Sequence, residues 1–459
     1  MSNFDIVIVG GGKGGKSLAL ALAPAGKKVA LIESKMLGGS CINVACIPTK
    51  TMVAGTRLVH DARQAKARGF NIEVGENLKA VIARKRSVVE AMVKTHFDLF
   101  TKTENLTFYK GMGRFVDAST LEVTLEDGSV EQVQGEKIFI NTGTKPLLPE
   151  IPGLTESGVL TSTSIMELDY LPAHLAIIGG GYIALEFAQI FRRLGSRVTL
   201  LERSGADRFL PREDRDIANC VKDILAGEGI EILFDVVTEK VTVNGADKVL
   251  HLKTKDGAKE YRCTDILSAT GRAAVNETLN LPAIGVETDA RGFIKVNESL
   301  ETSVKNIWAI GDCKGGPFFT HASWDDYRIL KDNILHNAGR TTKDRLIPYT
   351  LFVEPELGRV GLTEAEAREK GLDIKVVSLP AAKVPRANTE GESRGMLKAI
   401  VDAKSKQILG FAALCHNGGE IASCVQVAML AGMPYDQLRN IVFSHPTMCE
   451  SLNLLFAGI

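Results

Sequence analysis

The chain of 459 residues is long enough for two to four domains, each with its own hydrophobic core. Its 55 Lys and Arg residues balance 55 Asp and Glu residues, so the charge predicts neither a nucleic-acid partner nor an anionic membrane partner. The longest apolar runs are far shorter than a membrane-spanning helix, no signal peptide precedes the first predicted strand, and eight scattered cysteines suit a reducing compartment. We therefore expect a cytoplasmic protein.

The first predicted unit is a strand, a glycine-rich turn, a helix over Ser17–Ala23 and a second strand over Lys28–Ile32. The turn satisfies both the dinucleotide pattern G-x-G-x-x-G and the Walker pattern G-x-x-x-x-G-K-S. A glutamate ends the second strand about twenty residues later, where a dinucleotide fold needs a carboxylate for a ribose hydroxyl. We therefore favour a dinucleotide site, and a non-enzymatic nucleotide-binding module is the alternative. The predicted site residues are Gly10, Gly12, Gly15 and Glu33.

Cys41 and Cys46 are separated by four residues and followed by Ile-Pro-Thr-Lys, which favours a redox disulfide over a zinc clip. On a regular helix, residues five apart lie about 7.5 Å apart along the axis and roughly 140° around it, so their sulfurs could bond only across a distorted turn. Such strain makes a disulfide easier to reduce, and a helix N-terminus favours a thiolate. The alternative is a pair of small buried core residues.

The run Gly-Gly-x-Cys-x-Asn-x-x-Cys-Ile-Pro-x-Lys over residues 38–50 resembles the redox-active segment of the FAD-dependent pyridine nucleotide-disulfide oxidoreductases. That family includes dihydrolipoyl dehydrogenase, glutathione reductase and mercuric reductase. The resemblance extends over essentially the whole chain. It implies FAD and NAD(P)H as cofactors, and we assign no metal site.

The next stretch predicts a helix over Leu78–Phe100, a hairpin around Glu126-Asp127-Gly128, and a strand over 137–143 that ends at Gly143, a further predicted cofactor contact. Clustered prolines from Pro146 to Pro152 then mark a domain boundary.

A second dinucleotide unit follows, with strands over Leu175–Ile178 and Arg197–Leu201 flanking a helix over Leu185–Leu194. Two such units imply two dinucleotides, a flavin and a nicotinamide. Glu202 suits the ribose 2′-hydroxyl of NADH, whereas Arg203 and Arg208 could clamp the 2′-phosphate of NADPH, so we predict NAD(P)H without choosing. The predicted turn residues are Gly179, Gly181 and Ala184, together with Gly271 after the last strand of this unit.

The run from Thr302 to Asp312 resembles the second flavin motif of the family, in which the aspartate holds the ribityl chain. Thr320 is a plausible helix cap, and His321 beside it could stabilise negative charge on a reduced flavin. The alternative for His321 is a capped surface residue.

After Lys343 the pattern predicts an antiparallel sheet with helices, which forms the dimer interface in the family. Near the end, His445-Pro-Thr-x-x-Glu450 resembles the acid-base element of the family. A histidine titrates near neutral pH and can protonate a leaving thiolate, while a carboxylate fixes its tautomer.

The resemblance implies a role for each of these residues. Hydride from NAD(P)H would reach the flavin under a gate formed by Tyr182, with Lys50 and Glu186 as an ion pair near the flavin ring. Cys46 would be the thiolate nearer the flavin, and Cys41 would attack the substrate. The pair His445 and Glu450 would come from the partner subunit of a homodimer.

The predicted fold class is α/β, with two Rossmann-like dinucleotide-binding domains and a C-terminal α+β dimerisation domain. The predicted boundaries are 1–147 for the FAD-binding domain, 148–269 for the NAD(P)H-binding domain, 270–342 for a return to the FAD-binding domain, and 343–459 for the dimerisation domain.

The substrate is predicted to be a small oxidant or a disulfide. Three stretches, at residues 209–217, 384–387 and 445–453, resemble bacterial reactive-chlorine-resistance flavoproteins. Hypothiocyanous acid is therefore the leading hypothesis, and dihydrolipoyl dehydrogenase or a copper or mercuric ion reductase are the alternatives.

Overall fold

The computed structural model describes residues 1–75 and 77–459. The first half of the chain forms β1 (Ser2–Val9), α1 (Lys13–Leu22), β2 (Val29–Glu33), α2 (Ser40–Asn43), α3 (Cys46–Ala67), α4 (Leu78–Lys102), β3 (Leu106–Phe115), β4 (Thr120–Leu125), β5 (Val130–Ile140), β6 (Thr144–Pro146), β7 (His174–Ile178), α5 (Tyr182–Leu194), β8 (Arg197–Leu201) and α6 (Arg215–Gly227). The second half forms β9 (Glu231–Leu233), β10 (Val237–Asn244), β11 (Asp247–Thr254), β12 (Gly257–Cys263), β13 (Asp265–Ser268), β14 (Arg272–Ala274), α7 (Leu281–Ile284), β15 (Ile307–Ala309), α8 (Thr320–His336), β16 (Tyr349–Leu351), β17 (Leu357–Gly361), α9 (Glu364–Glu369), β18 (Ile374–Pro380), α10 (Pro385–Glu390), β19 (Met396–Asp402), β20 (Ile408–Leu414), α11 (Gly418–Leu430), α12 (Tyr435–Arg439) and α13 (Ser451–Phe456).

The chain packs as two compact units. One comprises Met1–Thr51, Ile82–Leu147 and Gly271–Arg345, and the other comprises Met52–Val81, Leu148–Thr270 and Leu346–Ile459. Each unit contains a parallel sheet flanked by helices, and the second also contains an antiparallel sheet. The predicted α/β fold class is therefore confirmed, while the assignment of cofactors to particular residue ranges stays a prediction.

In the first unit, parallel strands lie in the order β3-β2-β1-β5-β15, and antiparallel β4 joins β3 to β5. Alternate residues of β1 enter two different hydrophobic clusters, with Ile6 and Ile8 in one and Val7 and Val9 in the other. Such a doubly buried strand needs the continuous apolar run that the sequence shows. The ends of three strands meet in register because Val9 and Ala309 both pair with Ile140. The residues that follow these strands are thereby brought to one edge of the sheet.

In the second unit, a four-stranded parallel sheet has the order β13-β7-β8-β9. Ile178 pairs with Leu201 and with Ser268, so the residues after these three strands again share one edge. The unit also contains the meander β10-β11-β12 and a five-stranded antiparallel sheet in the order β16-β17-β20-β19-β18. Helices α11 and α13 bury apolar side chains in the same hydrophobic cluster as this sheet.

The helices after the two glycine turns begin earlier than predicted, at Lys13 and Tyr182. In both cases the preceding glycine, Gly12 or Gly181, is extended backbone and the helix starts directly after it. The predicted strand to Gly143 ends at Ile140 instead, and Gly143 itself has a φ of 72°. Among the described residues, no helix is both long and apolar enough to cross a bilayer.

Candidate active site

The first glycine turn joins β1 to α1 at the carboxyl edge of the parallel sheet. A Cβ atom on Gly10 would lie 2.3 Å from the Asn141 carbonyl oxygen, and a Cβ on Gly15 would lie 2.3 Å from the Gly10 carbonyl oxygen. Gly12 is the N-cap of α1, and no side chain in the described chain caps that helix. The first backbone N–H groups of α1 are therefore left for a ligand, as a bound pyrophosphate requires.

Glu33 lies beside this turn at the end of β2. Its Oε2 accepts a hydrogen bond from the Gly11 backbone N–H at 2.7 Å, and its Oε1 accepts bonds from Lys35 at 2.7 Å and Met36 at 3.0 Å. These backbone donors fix the carboxylate next to the glycine turn, where the sequence predicts a ribose contact.

Asn141 directly follows β5. Its side chain is buried, and Nδ2 donates to the Gly10 carbonyl oxygen at 3.2 Å. The asparagine therefore supports the first glycine turn from the neighbouring strand. Two residues later, Gly143 has positive φ, and a Cβ there would meet no atom within 4 Å.

Asp312 follows β15 at the same edge of the sheet. Its Oδ2 accepts a hydrogen bond from the Thr144 hydroxyl at 3.0 Å, and that hydroxyl accepts a bond from Arg272 Nε at 2.7 Å. Burial raises the pKa of the Asp312 carboxyl, and the Arg272 guanidinium opposes this rise. The sequence predicted Asp312 but neither Thr144 nor Arg272. These two residues directly follow Gly143 and Gly271, which were predicted.

Asp326 anchors the turn that carries Asp312. It is completely buried on α8, and its Oδ2 accepts a hydrogen bond from the Gly311 backbone N–H at 2.8 Å. Arg345 lies 2.6 Å and Lys314 3.5 Å from its carboxylate oxygens. Two cations thus balance one buried anion. Sequence reasoning missed this residue because an aspartate on a helix carries no distinctive local signal.

The helix that carries the predicted redox cysteines is interrupted between them. Helix α2 ends at Asn43, Val44 has φ −143° and ψ 14°, and α3 begins at Cys46. Cys41 and Cys46 are free thiols in this structure, and their side chains hydrogen-bond each other. The distorted turn that a disulfide at this spacing requires is therefore present.

The surroundings of the two thiols differ. The hydrogen bond to Cys46 and burial raise the pKa of Cys41, while Thr320 and the Lys16 charge oppose this rise. The Cys46 sulfur lies 3.3 Å from the Thr320 hydroxyl oxygen.

Lys16 is the lysine of the Walker alternative. It is buried, its Nζ contacts His96 Nε2 on α4, and a Cβ on Gly38 would lie 3.7 Å from Nζ. Burial and the Lys13 charge together lower the pKa of Lys16 to about 8, and Cys41 opposes this shift. The Lys16 side chain is thus directed toward the cysteine segment. Neither Lys16 nor His96 was predicted to belong to the cysteine site.

Thr320 is not the helix cap that the sequence suggested. Helix α8 begins at Thr320 with Phe319 as its N-cap residue, so the threonine hydroxyl is free to contact Cys46 instead. His321 is exposed, and its ring stacks on Phe319 with centroids 5.1 Å apart. A flavin contact of His321 stays a prediction.

The second glycine turn repeats the geometry of the first. A Cβ on Gly179 would lie 2.7 Å from the Ala269 carbonyl oxygen, and a Cβ on Gly180 would lie 2.2 Å from Glu202 Oε2. Glu202 Oε1 accepts hydrogen bonds from the backbone N–H and the hydroxyl of Ser204, both at 2.7 Å. Glu202 therefore lies beside the second glycine turn, as Glu33 lies beside the first. Ala184 is fully buried in the helix that follows the second turn.

Arg203 and Arg208 are both exposed. In the part of the chain that the structure describes, neither guanidinium forms an ion pair, so both remain available to an anionic ligand near Glu202. A contact with NADPH stays a prediction.

The two predicted residues at the start of α5 have firm partners. The Tyr182 hydroxyl donates to Glu213 Oε1, and Glu186 Oε1 accepts a hydrogen bond from the Phe352 backbone N–H at 3.0 Å. The predicted ion pair of Lys50 with Glu186 and the gating role of Tyr182 stay predictions.

His445 and Glu450 form a pair just before α13. His445 Nδ1 lies 2.8 Å from Glu450 Oε2, and the histidine side chain is 70% exposed whereas the glutamate is 13% exposed. A carboxylate that binds Nδ1 fixes the ring and leaves Nε2 as the nitrogen for proton transfer. The acid-base role of this pair stays a prediction.

Two family models together match most of the chain. Residues 4–326 match the model described as pyridine nucleotide-disulphide oxidoreductase, and residues 347–455 match the model of the dimerisation domain of that family. The first match spans both glycine turns and the cysteine segment.

Known proteins with similar sequences and structures agree with these matches. The probable pyridine nucleotide-disulfide oxidoreductase RclA of Escherichia coli (strain K12) is 43% identical over 461 residues, which cover 100% of this chain and 99% of the relative. A mercuric reductase of Lysinibacillus sphaericus is 34% identical over 454 residues, which cover 98% of this chain and 82% of the relative. The solved Cu(II) complex of the HOCl-induced flavoprotein disulfide reductase RclA from Escherichia coli has a TM-score of 0.92 and 40% sequence identity, and the match covers 100% of both chains.

Proposed function

This chain belongs to the pyridine nucleotide-disulphide oxidoreductase family, and from that premise we propose that it reduces hypothiocyanous acid with electrons from NAD(P)H. It is an FAD-dependent oxidoreductase. The observation that carries the proposal is the pair of free thiols at Cys41 and Cys46, on either side of a break in the helix, in a chain that resembles RclA along its full length.

The residues of the first unit fit FAD. The glycine turn with the uncapped N-terminus of α1 suits a pyrophosphate, Glu33 suits a ribose, and Asp312 suits a ribityl hydroxyl. When bound, FAD accepts a hydride from NAD(P)H and supplies the electron pair that opens the disulfide. The second glycine turn with Glu202 would hold the nicotinamide nucleotide. The family model matches a range that includes both turns, which supports the dinucleotide interpretation over the Walker alternative.

The cysteines complete the reaction in two substitutions. The Cys41 thiolate attacks the sulfur of HOSCN, a Cys41–SCN bond forms, and hydroxide leaves and is protonated to water. The Cys46 thiolate then attacks the Cys41 sulfur, the disulfide forms, and thiocyanate leaves. The net reaction converts HOSCN and NAD(P)H to SCN⁻, water and NAD(P)⁺. A small electrophilic oxidant needs only one exposed thiol and one resolving thiol.

His445 is proposed to supply the proton for the leaving hydroxide, from the second subunit of a homodimer. The match of residues 347–455 to a dimerisation domain supports that assembly. Three large apolar side chains of this region are strongly exposed, with Val427 and Leu430 at 67% and 68% and Val442 at 97%. Burial of such a surface by a second copy is favourable.

The substrate proposal is tested by a comparison of electron acceptors. The purified flavoprotein is assayed for steady-state NAD(P)H oxidation with hypothiocyanous acid, lipoamide, glutathione disulfide, Cu(II) and Hg(II) at matched concentrations. We expect the highest kcat/KM with hypothiocyanous acid. Rapid turnover with lipoamide and none with hypothiocyanous acid would instead support dihydrolipoyl dehydrogenase activity.

The nucleotide preference is tested with the double variant Arg203→Ala/Arg208→Ala. Charged hydrogen bonds to a phosphate contribute about 1.5–3 kcal/mol, so we expect the KM for NADPH to rise by about tenfold or more while the KM for NADH changes little. The control is Arg212→Ala, which removes another exposed arginine of the same segment. An equal loss with both nucleotides would show that the two arginines do not contact the phosphate.

A metal-ion reductase is the second candidate. One solved structure of RclA is described as a Cu(II) complex, and mercuric reductases are among the relatives. The acceptor comparison above distinguishes this candidate, because it requires faster NAD(P)H oxidation with Cu(II) or Hg(II) than with hypothiocyanous acid.

A further inference from the structure

Tyr182 takes part in a buried cluster that no step described so far uses. Its hydroxyl and the Tyr349 hydroxyl both donate to Glu213 Oε1, the latter at 2.8 Å, and the two rings lie 5.7 Å apart. The Glu213 side chain is fully buried, and burial raises its pKa while the Arg359 guanidinium opposes this rise. Burial also raises the pKa of both tyrosines, so both hydroxyls remain donors.

The two oxygens of the Glu213 carboxylate are unequally bonded. Oε1 accepts both tyrosine hydroxyls, whereas Oε2 has no hydrogen-bond partner among the described residues. Arg359 Nε lies 3.9 Å from Oε2, beyond hydrogen-bond reach, and its Nε and Nη1 are also without partners in the described chain. A buried carboxylate and a buried guanidinium thus face each other with unused hydrogen-bonding capacity, which is costly in a protein interior.

The charged residues next to Glu213 in the chain do not account for its unused hydrogen-bonding capacity. Asp214, next in the chain, lies 3.5 Å from Lys398, which also pairs with Asp216 and Glu364 at 2.9 Å. These ion pairs fix the backbone of the segment, and Glu213 is left to the two tyrosines and Arg359.

We propose that Glu213 is a positioning residue that acts as a latch: its hydrogen bond with the Tyr182 hydroxyl keeps Tyr182 in the closed position. When Tyr182 moves away, a hydrogen bond from Arg359 replaces that bond. This inference rests on the proposed function and on the predicted role of Tyr182 as the gate of the nicotinamide site. When the Tyr182 ring moves, Glu213 loses one donor, and a shift of about 1 Å would bring the Arg359 guanidinium into hydrogen-bond range of Oε2. In the open state the bond from Arg359 therefore replaces the lost bond from Tyr182, and the movement of the Tyr182 ring costs little free energy.

The latch predicts opposite effects for two matched tyrosine variants. Tyr182→Phe keeps the ring and removes its hydrogen bond to Glu213. The open state then becomes more populated and the apparent Kd for NAD(P)H falls. Tyr349→Phe removes the competing donor, so the bond of Tyr182 to Oε1 strengthens and the apparent Kd rises. Each change is expected to be about three- to tenfold, as for one buried hydrogen bond. The limiting rate of flavin reduction should change much less than the apparent Kd.

The measurement is anaerobic stopped-flow reduction of the flavin over a range of NAD(P)H concentrations. Phenylalanine variants are preferred to Glu213→Gln because that change leaves Arg359 buried without a counter-ion and endangers folding. The control is Tyr170→Phe, which removes a hydroxyl that donates to Asp265 at 2.7 Å elsewhere in the same unit. We expect its apparent Kd to stay within about twofold of the wild type, because its partner does not contact Tyr182.

Equal shifts in the same direction, or no shift in either variant, would overturn the latch. A wild-type protein that binds no flavin, or whose flavin NAD(P)H does not reduce, would overturn the proposed function itself. The wild-type trace therefore separates the two failures.

Discussion

Cys41→Ser is expected to lower turnover with hypothiocyanous acid by at least about 10³-fold, as removal of a catalytic nucleophile does in other enzymes. A serine hydroxyl is a far weaker nucleophile at neutral pH and cannot form a disulfide with Cys46. Flavin binding should persist, because the glycine turn, Glu33 and Asp312 are unchanged. Reduction of the flavin by NAD(P)H should persist as well, since it precedes the step that needs Cys41.

The matched control for this variant is Cys220→Ser, which changes a half-buried thiol on α6. We expect wild-type turnover and a wild-type flavin spectrum. If Cys41→Ser kept full turnover, electrons would leave the protein by another route and the assignment of the nucleophile would be wrong.

His445→Ala is expected to lower kcat by about 10²–10⁴, the range for loss of a general acid or base. The proton for the leaving hydroxide must then come from water. Glu450→Gln keeps the size of the side chain but removes the charge that orients the ring at 2.8 Å, so its kcat should fall between those of the wild type and His445→Ala.

A second histidine provides the control for this prediction. His251 on β11 lies 3.7 Å from the Glu260 carboxylate, and His251→Ala should leave kcat unchanged. Equal kcat values for His445→Ala and the wild type would contradict the acid-base role. Mixing His445→Ala with Cys41→Ser tests the homodimer further, because mixed dimers contain one intact site if each site uses both chains.

Residues at strand ends were predictable because their signals are local. Gly10, Glu33, Gly179 and Glu202 each follow an apolar run whose end is visible in the sequence, and the parallel register then brings such ends to one edge. The distortion between the two cysteines was predicted on the condition that they form a disulfide, because a regular helix keeps their sulfurs apart, and the structure contains such a distortion at Val44.

Residues whose importance depends on distant partners were not predictable. Thr144 links Asp312 to Arg272 across more than a hundred residues of chain, and Glu213 meets Tyr349 only through the tertiary fold. Thr320 was misjudged for the same reason, since its hydroxyl contacts Cys46 in another part of the sequence. One sequence shows the residue types at these positions but not which of them meet.

The most direct test identifies the cysteine sulfurs that receive the two electrons of NAD(P)H. The oxidised protein is reduced anaerobically with one equivalent of NAD(P)H, alkylated, and mapped by peptide mass spectrometry. The account predicts new alkylation at Cys41 and Cys46 and unchanged labelling of the other six cysteines. Unchanged labelling at these two positions, with NAD(P)H consumed, would contradict it.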